Sequence, residues 1–109
     1  MDKDALLKMA DTGRDSALLR LSIGTIYLNE GEAGPAVLHL RKAVELDPDY
    51  SAAWKLLGKA LLLGNQPEAA EQAWRDGLVV AERRGDMQSV REMTVFLKRI
   101  DKSRQRGDG

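Results

Sequence analysis

Cysteine is absent from this 109-residue chain, so no disulfide framework and no Cys-ligated zinc or iron–sulfur site can be built from it. Histidine occurs once, as His39. One imidazole excludes a paired-histidine metal site and argues against a catalytic triad. Long apolar runs are missing too: Ala60 to Leu63 is the longest strongly apolar stretch, far short of the ~20 residues a membrane span needs. The opening MDKDALLKMADTGRDS lacks the apolar core and small-residue cleavage site of a signal peptide, which leads to the expectation of a soluble, cytoplasmic protein. There is also no excess of charge. Seventeen basic side chains balance seventeen acidic ones, so no global field draws the protein to nucleic acid or to an acidic membrane, and neither is expected as a partner. The balance hides an asymmetry. Residues 1–50 carry six basic and nine acidic side chains, near −3, whereas 51–109 carry eleven and eight, near +3.

What the chain does have is apolar residues at helical spacing almost throughout, with no convincing β-type alternation. Thr12-Gly13 ends a first short segment in which Leu6, Met9 and Ala10 share a face. Asp15-Ser16 offers an N-cap for a helix running to Asn29. Gly34-Pro35 opens the next, which stops at Leu46 before Asp47-Pro48, because a residue preceding proline is pushed out of the α region. A helix capped by Asp49 or Ser51 reaches Gly64-Asn65, and Pro67 opens another to about Arg84. After Gly85-Asp86, Val90, Met93, Leu97 and Ile100 form the stripe of a last helix, Met87 to about Lys102; SRQRGDG has no apolar content and is expected to be disordered. At this length the chain is one domain that buries somewhat under ~70% of its unfolded surface.

Sliding the chain by 34 residues superimposes Ile23 on Leu57, Gly24 on Gly58, Tyr27 on Leu61, Gly31 on Asn65, Ala36 on Ala70, Leu40 on Trp74 and Ala43 on Gly77. The segment 51–84 carries Trp54, Leu57, Gly58, Ala70 and Trp74; 17–50 carries Gly24, Tyr27, Gly31, Ala36, Ala43 and Pro48, within AVELDP. Period and positions resemble the tetratricopeptide repeat (TPR) family, a helix–turn–helix of that length. The two units cover 68 of the 109 residues. There are departures: Arg20 stands where a tryptophan belongs, Gly77 replaces an alanine, and Glu82 replaces a closing proline. The resemblance implies an all-α fold, a right-handed superhelical stack of antiparallel helix pairs with about five helices. Its parts are an N-terminal segment with a short helix (1–15), repeats at 17–50 and 51–84, a capping helix (85–102) and a tail (103–109). Gly24 and Gly58 then mark close helix crossings, facing Ala36 and Ala70.

The resemblance also implies that the first helix of each pair lines a concave face. The inward positions are Leu18, Leu21, Ser22, Thr25, Leu28 and Asn29 from one unit, and Ala52, Lys55, Leu56, Lys59, Leu62 and Leu63 from the next. Leu21 and Thr25 occupy the positions at which one TPR subset holds a terminal carboxylate with lysine and asparagine, so that clamp is not present in its known form. Lys55 and Lys59, four residues apart, offer two cations to an acidic peptide on an apolar floor. Against this stands the plainer reading, in which Leu62 and Leu63 pack under the last helix and the lysines are solvated. Trp54, Trp74 and His39 read as packing residues, and the basic run Lys98, Arg99, Lys102, Arg104 and Arg106 as a solvated helix end. The expected function is a non-enzymatic interaction module, without cofactor or metal, that binds a protein or peptide segment in its groove. The alternative is a structural unit whose apolar groove or last helix forms a homodimer interface.

Overall fold

Wherever glycine, proline, asparagine or aspartate interrupts the apolar pattern, the chain turns. A computed structural model describes residues 2–107 as six α-helices. They are α1 (Lys3–Asp11), α2 (Ala17–Asn29), α3 (Ala33–Leu46), α4 (Ser51–Leu63), α5 (Pro67–Arg84) and α6 (Met87–Gly107). The sequence suggested about five; the sixth is α1, a separate element with its own N-cap, Asp2, whose carboxylate accepts from the Asp4 N–H. Ser16 caps α2 by accepting from the Leu19 N–H at 3.0 Å, and Pro67 opens α5 where a missing N–H does no harm. The expected cap of α4 is not formed. Asp49 pairs instead with Arg83, and the Ser51 hydroxyl donates to Asp86 at 2.6 Å, tying the start of α4 to the start of α6.

The repeat is visible atom by atom. Gly31 and Asn65, one period apart, are both left-handed, at φ 77° and 61°. In each turn a backbone N–H reaches back to the same place, Glu32 to the Tyr27 carbonyl and Gln66 to the Leu61 carbonyl, both at 2.9 Å. The glycines are indeed close crossings, but the alanines are not the nearest atoms. A Cβ on Gly24 would lie 2.5 Å from Leu40 Cγ, and one on Gly58 would lie 2.1 Å from Trp74 Nε1. Leu40 and Trp74 are themselves a period apart, so a large side chain of the second helix is seated on the bare backbone of the first. Gly77 has the same explanation, since a Cβ there would meet Trp54 Cβ at 2.6 Å and Met93 Sδ at 2.8 Å.

Carried one period back from Leu40, the register lands on Leu6, which is 5% exposed and packs with Leu19 and Ile23. α1 therefore stands as the second helix of an incomplete leading unit. α6 stands as the first helix of an incomplete trailing one: it packs on α5 and more lightly on α4, as α4 packs on α3 and more lightly on α2. Among the described residues α2, α4 and α6 adjoin side by side, whereas α1, α3 and α5 do not reach one another. The molecule is 49 × 30 × 19 Å, its least dimension being two helix layers of about 10 Å each.

The C-terminal stretch differs from expectation. α6 continues through residues 103–107; Asp108 and Gly109 lie outside the described residues. The cause is a partner that the local composition does not reveal. Glu71 on α5, 13% exposed, sits between Arg75 and Arg104 and holds the last turns of α6 against the stack. Lysine, arginine and glutamine are also good helix formers, and cations at a helix C-terminus are favourable.

Candidate functional site

The inward positions of α2 are mostly satisfied within the protein. Leu21 and Leu28 are half-buried and pack against the main core. Ser22 and Thr25 turn their hydroxyls back to donate to the Leu18 and Leu21 carbonyls at 3.0 and 2.7 Å. Asn29 is exposed at the end of the helix. On α4, Leu56 is half-buried against the core, and Lys55 is paired: its Nζ lies 2.9 Å from Glu92 Oε2 on α6. That hydrogen bond to Lys55 holds the Glu92 carboxyl below its ordinary range.

One turn further along α4 the helices part. Between α4 and α6 lies a cleft of about 490 Å³, within the size range of small-ligand and peptide-anchor pockets. α4 contributes Lys59 and Leu62, and α5 supplies the floor, Pro67 and Trp74. The opposite wall is α6, with Phe96, Arg99, Ile100, Ser103 and Arg104. Of the expected groove residues the cleft thus brings together Lys59 and Leu62, and leaves Leu21, Ser22, Thr25, Leu28, Asn29, Lys55 and Leu56 outside.

Each wall has a local cause. Trp74 is 2% exposed because its indole N–H donates to the Lys55 carbonyl at 2.9 Å over Gly58, which turns ring carbon toward the cleft. Phe96 tilts against it, ring centroids 5.0 Å apart, and Lys59 Nζ stands 5.1 Å from the Phe96 ring. Leu62 remains 45% exposed, so the α4 wall of the cleft offers a wetted apolar surface above a nearly sealed Trp74. The residues missed in the sequence are those of α5 and α6. The signal was there in part: Phe96, Arg99 and Ser103 continue at helical spacing beside the buried stripe.

The other candidates resolve into structure. His39 is 7% exposed; it stacks on Tyr27 at 5.7 Å, and Nδ1 accepts from Arg20, whose guanidinium also clasps Asp15. Burial and the neighbouring guanidinium both lower the His39 pKa. Arg20, in the place of Trp54, thereby bridges α2 and α3. Trp54 is half-buried and donates to the Pro48 carbonyl at 2.8 Å. Among the described residues no three His, Asp or Glu side chains gather as a metal site, and no helix is long and apolar enough to cross a membrane.

Comparison with known proteins agrees with this architecture. A tetratricopeptide repeat model matches residues 39–72. A TPR repeat-containing protein of Pseudomonas aeruginosa is 48% identical over 101 residues, covering 93% of this chain and 96% of that protein. One from Dictyostelium discoideum is 34% identical over 74 residues, 68% of this chain but 28% of its own length. The solution structure of a Bordetella parapertussis protein superposes with a TM-score of 0.82 at 41% identity, over 94% of this chain and 90% of that one. A tetratricopeptide repeat domain protein from Salinibacter ruber, 22% identical, shares the fold at a TM-score of 0.74, over 80% of this chain and 97% of its own. Register, glycine crossings and paired helices thus have one origin, and the chain belongs to the tetratricopeptide repeat family, whose members generally mediate protein–protein interaction.

Proposed function

We propose that this protein is a non-enzymatic adaptor that binds a segment of a partner protein on the face formed by α2, α4 and α6, with the α4–α6 cleft as its anchor point. The observation that carries this reading is the cleft itself: Leu62, Phe96 and Ile100 line a solvent-open cavity at the place where the first helices of neighbouring units part. The right-handed curvature that the family implies makes this the inner face of the stack. A catalytic reading has little support, since the single imidazole is buried and its Nδ1 is engaged by Arg20.

The competing reading is a homodimer through the groove or the last helix. The outward face of α6 speaks against the second form. Met87 and Val95 are exposed there, but they are interspersed with Gln88, Arg91, Lys98 and Lys102, a polar ending of the kind that closes a repeat stack. The test is capture of partners from the source organism by the wild type and by Leu62→Asp. The variant should keep the wild-type unfolding midpoint and lose the captured protein; undiminished capture would move the site elsewhere.

A further inference from the structure

The cleft has a charge pattern that its apolar floor does not require. Of its lining residues Lys59, Arg99 and Arg104 are cationic and none is acidic. Arg104 is matched by Glu71, and one turn away from Lys59 the other α4 lysine, Lys55, is matched by Glu92. Among the described residues Lys59 and Arg99 have no carboxylate within ion-pair distance, although both stand at the rim of an aromatic pocket. Lys59 stands over the Phe96 ring and within Coulombic reach of Glu92, and it and Arg99 belong to opposite walls of the cleft. Beyond Arg99 the cationic surface continues over Lys102 and Arg106, which border a shallow depression sharing Arg99 and Ser103 with the cleft.

From this juxtaposition we propose that the cleft selects an acidic segment of a partner protein bearing one bulky apolar residue. This rests on the reading of the cleft as a protein-docking site and adds the chemistry of what docks. The apolar side chain packs against Trp74, Phe96 and Ile100. The Trp74 N–H is already spent on the Lys55 carbonyl, so the floor offers carbon and no donor. Carboxylates flanking the anchor meet Lys59 on one wall and Arg99 on the other, and further acidic residues follow toward Lys102 and Arg106. The anchor supplies most of the residence time, and the cations supply orientation and the rejection of basic segments.

The experiment is a display selection of random peptides of about a dozen residues against the whole chain, followed by affinity measurement on the strongest sequences. Enriched peptides are expected to place aspartate or glutamate within a few positions of a leucine, phenylalanine or tryptophan. Their affinity should fall about tenfold or more in Lys59→Glu with Arg99→Glu, at an unchanged unfolding midpoint. It should fall similarly in about 0.5 M NaCl, where charges are screened within a few ångströms. On peptide addition the indole N–H resonance of Trp74 should move while that of Trp54 stays.

Neutral or basic enriched peptides that still need Leu62 would overturn the acidic specificity and leave the docking reading standing. Enriched peptides indifferent to Leu62→Asp, or no enrichment at all, would overturn both. Tighter binding of a single-stranded oligonucleotide than of any selected peptide, lost in the same charge-reversed variant, would assign the cations to nucleic acid and overturn the proposal.

Discussion

Glycine in this protein has opposite energetic meanings at different places, and the environment of the missing Cβ decides which applies. Gly58 sits in α4 with Trp74 Nε1 2.1 Å from where a Cβ would stand. A tryptophan that is 2% exposed and hydrogen-bonded to the Lys55 carbonyl has little room to yield. Gly58→Ala should therefore lose about 1–3 kcal/mol despite the better helix propensity of alanine, and Gly58→Val more, by overpacking. Gly34 lies in the first turn of α3 with nothing within 4 Å of its would-be Cβ. Gly34→Ala should gain about 0.5–1 kcal/mol. Urea unfolding of the two alanine variants checks this, the midpoints moving in opposite directions from the wild type. Movement in the same direction would mean that backbone propensity, not the indole contact, governs both sites.

Asp86 is a second residue with a distinct energetic role. Its carboxylate accepts from the hydroxyls of Ser51 and Ser89, both at 2.6 Å, and from the Ser89 N–H at 3.2 Å. These bonds, the one from Ser51 foremost, lower its pKa to about 2. The folded protein thus keeps Asp86 ionised at a pH where the unfolded chain binds a proton. Its contribution is complete above the ordinary carboxylate value of 3.8 and is lost as pH falls through that value toward about 2. Replacing Asp86 by alanine should cost about 1–2 kcal/mol near neutral pH, the usual size of a lost cap. Wild type and variant should converge as pH approaches 2, and a difference that stays constant with pH would remove the charge from the account.

At the scale of elements the stack ends are unequal. α1 touches α2 alone among the described helices and buries Leu6. α6 packs on both α5 and α4 and buries Met93 and Ile100, at 0% and 5% exposure. Removal of residues 1–14 should leave a cooperatively folding protein of reduced stability. Removal of 87–109 exposes the sides of Trp74 and Gly77 that Phe96 and Met93 cover, and should abolish a sharp denaturant transition. Circular dichroism against urea distinguishes the two; a cooperative transition in the shorter C-terminal truncation would mean that α6 is dispensable. The elements were legible in the sequence because their signals are local. Ser16, Pro67 and Gly85-Asp86 mark starts and stops that any helix of that composition would obey. The cleft was legible only in half. Lys59 and Leu62 stand on one helix face by their spacing, but the other wall comes from Phe96, Arg99 and Ile100, and which face of α6 turns to α4 is a tertiary outcome. The same holds for Lys55. Its partner Glu92 is 37 positions away, and no spacing rule pairs them. Likewise SRQRGDG reads as unstructured by composition, whereas α6 continues through 103–107, where Arg104 pairs with Glu71 on another helix.

At the scale of the molecule, a register of 34 residues runs from Leu6 through Leu40 to Trp74, and among the described helices α2, α4 and α6 adjoin while α1, α3 and α5 do not. If the α4–α6 cleft is open to a partner, as proposed, it is not buried against a second copy of the chain. Sedimentation velocity over a wide concentration range tests this most directly, with Leu62→Glu run alongside. One species near 12.0 kDa is expected for both proteins at every concentration. A concentration-dependent dimer that Leu62→Glu dissolves would contradict it, because the cleft would then be a self-association surface.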